Sequence, residues 1–156
     1  MSEMSALISL LIQHNTGNPE KVNHILKVCS LARAIAVEEG LSDSTVLTIE
    51  VAAAVCDIAD TGEESAQVAD MLLLNLGYER KFIERVHGLV LKNANYEDIC
   101  GIDYQILAEA NFLVKAYEKR LDKESIVEVL NTVFKTKCGK QYLCDMYAVS
   151  RRGSDR

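Results

Sequence analysis

The residues that break helices occur at only a few places in this chain, and their placement constrains the fold more than any other feature. In 156 residues there are one Pro and eight Gly, read here as falling between periodic apolar segments, because helix interiors tolerate neither residue well. Asn18 before Pro19 joins a capping side chain to the residue favoured at the first helical position, and Gly40 closes that helix after AIAVEE. A second helix is predicted from Ser42 or Asp43 to Ile58. A third covers 63–76, stopped by Gly77, and a fourth covers 79–92, with Phe82, Val86, Leu89 and Val90 as its apolar stripe.

Another helical pattern runs over 102–119. LDKESIVEVLNTVF follows, with Asp122 as cap and Leu121 and Ile126 at staple spacing, and GKQYLCDMYAV closes the series. No segment alternates as a half-buried strand does, so the expected fold is all-α: one compact bundle of about six to seven helices over 1–150, then a polar tail, 151–156. At 49% hydrophobic and 26% charged residues, the composition is that of one globular domain. The formal net charge of -6 excludes the basic footprint of a nucleic-acid binder.

No run approaches the roughly 18 to 20 apolar residues of a membrane span, and SALISLLIQH lacks the basic flank and cleavage site of a signal peptide. A cytoplasmic location is expected. The five cysteines, at 29, 56, 100, 138 and 144, are odd in number and include no CxxC, so they read as reduced thiols.

Polar residues on apolar helix faces are the candidates for chemistry. His24 stacks with Val28, Leu31 and Ile35, Cys56 and Asp57 follow the stripe Val51, Ala54, Val55, Ile58, and Asn111 shares a face with Leu107, Ala110 and Val114. Three helices each carry a polar group inward.

The order of VNHILKVCSLARAIAVEEGL, AAAVCDIAD, ERVHGLVLKNA and DYQILAEANFL resembles the HD-domain superfamily of metal-dependent phosphohydrolases over roughly Val22 to Met146. DYQILAEANFLV and FKTKCGK are similar to DYQILxEADFLV and FKTKxGK of small single-domain bacterial members. The resemblance implies an HD-like helical fold in which a His, a His-Asp pair and a last Asp hold one divalent ion. His24 stands at the first ligand position and Asp57 at the Asp of the pair, where it is the catalytic candidate if the chain is active. Cys56 replaces the His of the pair, and Asn111 replaces the last Asp. The segment VLKNANY has none of the His residues found there in similar members, and IADTGEESAQV is shorter than their equivalent.

Two His and two carboxylates supply two negative charges to an ion that then acidifies a bound water. Asn111 offers only a neutral carbonyl. Cys56 restores a charge only as a thiolate, which favours zinc over the iron, manganese or magnesium of the family. The expectation is therefore no cofactor, or one divalent metal in an altered site. On the first alternative the chain is a pseudoenzyme with little or no hydrolytic activity, acting as a ligand-binding or interaction domain. On the second it is a working phosphohydrolase on a nucleotide or small phosphate ester through His24, Cys56 and Asp57. A small phosphorylated ligand and a homodimer are the partners considered.

Each residue also has a plainer reading. Cys56 can fill space as a small hydrophobe, and a His24, Asp57, Asn111 hydrogen-bond cluster satisfies all three polar groups without metal. His87 sits too far around its helix from Lys92 and Asn93 to share their cavity. Arg80, Lys81 and Arg85 are either a phosphate patch or a solvated face. Cys138, among the lysines of KTKCGK, has neighbours able to lower its pKa.

Overall fold

The computed structural model describes residues 3–92 and 95–150; the tail 151–156 and positions 93–94 of VLKNANY lie outside the described residues. Eight helices form the described chain: α1 (Glu3–His14), α2 (Pro19–Glu38), α3 (Asp43–Val55), α4 (Gly62–Asn75), α5 (Arg80–Leu91), α6 (Ile102–Glu118), α7 (Lys123–Thr132) and α8 (Lys137–Tyr147). The all-α expectation holds. The helix count exceeds the expected six to seven because SALISLLIQH is itself a helix, whose Leu7 and Leu11 reach full burial in the core.

The local signals explain most boundaries. Asn18 caps α2, its side chain accepting from the Lys21 amide at 3.1 Å, and Ser42, Thr61, Asp122 and Thr136 cap α3, α4, α7 and α8 in the same way. Gly40 takes φ +77° after α2, a conformation that disfavours side chains with a Cβ. Not every glycine is a boundary: Gly88 lies within α5 and Gly139 within the first turn of α8.

α3 stops at Val55, three residues before the expected Ile58. The fully buried Ser65 of α4 accepts from the Ala59 amide at 3.0 Å and donates to the Ala59 carbonyl at 3.3 Å, which holds the chain in a turn and prevents another helical turn. Cys56 and Asp57 consequently sit at a helix end.

α6 is the central helix, with every residue from Tyr104 to Val114 buried. α2 lies against α3 and α6, and α4 packs on α5. Small side chains, Ala52 to Ala54 of α3 and Ala32 and Ala36 of α2, line the core and let helices approach closely.

Glu109 of α6 is fully buried, where a carboxylate is costly unless it is hydrogen-bonded. Here it accepts from Gln105 Nε2 at 2.6 Å, the amides of Lys135 and Thr136 at 2.8 and 3.1 Å, and Thr136 Oγ1 at 2.5 Å. A Cβ at residue 139 would lie 1.9 Å from Glu109 Oε1, so glycine is required there. DYQILAEANFLV and FKTKCGK, far apart in sequence, thus meet in one polar joint.

Candidate functional site

His24 projects from the first half of α2, Asp57 from the turn after α3, and Glu118 from the last residue of α6. These three form the polar centre. His24 Nε2 lies 2.8 Å from Asp57 Oδ2, and Nδ1 lies 2.7 Å from Glu118 Oε1, so both ring nitrogens face carboxylates. The imidazole is 19% exposed and each carboxylate 32%, which places the cluster at the rim rather than in the interior expected for Asp57. The Asp57 hydrogen bond is the main cause raising the His24 pKa above its ordinary 6.5, burial opposes it, and Glu118 adds to the rise. A protonated ring donating to both carboxylates matches this geometry.

Glu118 has no place in the sequence-based site. The expected cluster was His24, Asp57 and Asn111, yet the second ring nitrogen goes to Glu118. Nothing in the local sequence singles out that residue, since it is one of several charges at the end of an amphipathic pattern. Asn111 is buried in α6, as its stripe predicted.

Cys56 is buried, its thiol donating to the Ala53 carbonyl at 3.5 Å and lying 3.8 Å from Asp57 Oδ2. Burial, reinforced by the Asp57 charge, pushes this thiol well above the ordinary cysteine range. His87 meets Asp70 of α4, Nδ1 to Oδ2 at 2.9 Å. Arg85 of the basic segment is held by Asp103, Nε to Oδ2 at 2.7 Å. Cys138 corrects its expectation: burial raises its pKa, a hydrogen bond with Tyr142 opposes the rise, and the carboxylates of Glu39, Glu38 and Glu109 add to it.

Bonds of about 2.0 to 2.1 Å from one tetrahedral ion would hold a nitrogen and an oxygen about 3.3 Å apart, whereas Nε2 and Oδ2 stand 2.8 Å apart, the spacing of a proton-bridged contact. Cys56 is held as a neutral thiol, and Asn111 carries no charge. Among the described residues, no group of three His, Cys, Asp or Glu side chains is arranged to hold an ion.

His24, Asp57 and Glu118 open onto a cavity of about 510 Å³, also lined by Asn18, Glu20, Lys21 and Lys119. Its lining combines both signs of charge. A more apolar groove of about 530 Å³ runs between α2 and α6, past Leu26, Leu31, Leu113, Val114 and Met146. Among the described residues, no helix is long and apolar enough to cross a membrane. No family model, curated protein or solved structure matches this chain.

Proposed function

We propose that this chain is an HD-type helical domain in which a His24-centred ion cluster takes the place of the metal centre, and that it works as a ligand-binding or interaction domain without hydrolytic turnover. The observation that carries the reading is that His24 has both nitrogens engaged, by Asp57 and Glu118. A proton on the ring supplies the positive charge that the carboxylates require, and Cys56, buried as a thiol, supplies no compensating anion for a metal. The mixed-charge cavity beside the cluster is the place for a small polar ligand.

Elemental analysis of the purified protein, followed by assay on nucleotides and phosphomonoesters, tests this. Substoichiometric metal and no turnover are expected. Stoichiometric metal, with turnover abolished by Asp57→Ala, would overturn the reading.

One observation favours the competing enzyme. Cys56 Sγ, Asp57 Oδ2 and His24 Nε2 are contiguous, and Glu118 on Nδ1 occupies the position of an outer-shell carboxylate that orients a metal-binding imidazole. On that reading His24, Cys56 and Asp57 would be the residues that hold the ion, which would supply an acidified water for hydrolysis, with Asp57 the catalytic candidate. Cys56→His then retains or raises metal content. On the ligand-binding reading, Cys56→His alone binds no metal, and Asn111→Asp must be added.

A further inference from the structure

We propose that the outward face of α2, together with the apolar groove between α2 and α6, is the interface through which two copies of this chain pair about a twofold axis. The inference is independent of what the His24 cluster binds. In the groove of about 530 Å³, Leu26, Leu31, Leu113 and Val114 are bordered by Tyr117 and Met146, which are 72% and 50% exposed. Val37, 47% exposed, adds apolar surface near the end of α2. Covering a contiguous apolar surface of this kind is favourable, and Tyr and Met are side chains enriched at protein interfaces.

The pattern on α2 is complementary to itself. Asn23, Lys27, Ser30, Ala34 and Glu38 recur every three or four residues and so share one face, exposed or half-buried throughout, with Leu26 and Val37 along one side of it. Leu26 and Val37, Lys27 and Glu38, and Ser30 and Ala34 are three pairs centred at or beside residue 32. A twofold axis through that point sets the two α2 helices antiparallel. Leu26 then meets the partner's Val37, Ser30 the partner's Ala34 and Lys27 the partner's Glu38, and each contact is made twice. Among the described residues neither Lys27 nor Glu38 forms a salt bridge within the chain, so each is available to the other copy. A membrane surface would call for a cationic polar rim, whereas this face carries both signs. The 20 residues of α2 make a strip about 30 Å long and about 10 Å wide, short of the roughly 800 Å² per partner of a standard interface. The groove and its rim at Tyr117 and Met146 therefore have to be covered as well, which the mate of α2 does when it lies beside α2.

Sedimentation equilibrium of the full-length protein from about 1 µM to about 1 mM should show a mass that moves with concentration from one chain to two. Ala34→Arg, which puts a charge beside the axis, should keep the protein monomeric, with helical circular dichroism showing that it folds. Lys27→Glu and Glu38→Lys should each weaken pairing about tenfold, because each sets like charges together at both ends of the contact, and the double variant should restore it. If Ala34→Arg does not fold, these exposed charge reversals decide the matter alone. Wild type that stays monomeric over the whole range, pairing that folded Ala34→Arg leaves intact, or single reversals that the double variant fails to rescue would overturn the proposal. So would a monomeric wild type that sediments with anionic lipid vesicles, the behaviour of a membrane-binding face.

Discussion

At the scale of single residues, His24 carries the sharpest prediction. Its folded pKa lies above the ordinary 6.5, so the stability it contributes is fully present below about pH 6.5 and is lost as pH rises through the higher folded value. Urea unfolding of wild type and His24→Gln should therefore differ by about 1 to 2 kcal/mol at pH 6, after discount for partial exposure, and by less at pH 9. A gap that widens with pH would show that the ring is not held as a cation. Tyr96 offers a second test. Among the described residues its hydroxyl is buried without a hydrogen-bond partner, and burial pushes its pKa up to about 12. Removing an unsatisfied hydroxyl should be neutral or favourable, so Tyr96→Phe is expected to raise stability by up to about 1 kcal/mol, and a loss in urea midpoint would mean that something bonds to it.

At the scale of elements, the start of α8 is the most tightly specified joint. The Gly139 amide bonds to Thr136 Oγ1 at 2.9 Å, the Cys138 amide to Glu39 Oε2 at 3.1 Å, and Glu109 takes the amides of Lys135 and Thr136. Carboxylates at the positive end of a helix suit its dipole. Gly139→Ala is expected to cost about 2 to 3 kcal/mol in thermal or urea denaturation, since its Cβ must displace a buried carboxylate. Glu109→Gln turns one accepting oxygen into a donor facing donors. Hydrogen exchange should then quicken across 137–147 and change little in α3, and uniform protection would rule out this joint as what holds α8.

At the scale of the whole molecule, the core is continuous from α1 to α8. One cooperative unfolding transition is expected, with helical circular dichroism and tyrosine fluorescence coinciding. Separate midpoints would mean that a helix group folds independently. The polar cavity lies where three helices converge, α2 at its N-terminal half, α3 at its end and α6 at its C-terminus.

The helical class, the caps at Asn18 and Asp122, and the inward faces of α2, α3 and α6 were legible in the sequence, because period and capping chemistry are local. Cys56, Asp57 and Asn111 were legible as polar residues on or beside apolar stripes for the same reason. The end of α3 was not, since Ser65 of another helix sets it. Glu118 was not, because its contact with His24 spans 94 positions of chain. Local sequence determined which residues turn inward; only the packing of α2, α3 and α6 decided which charges meet, since Coulomb and hydrogen-bond energies depend on distances that sequence spacing does not set.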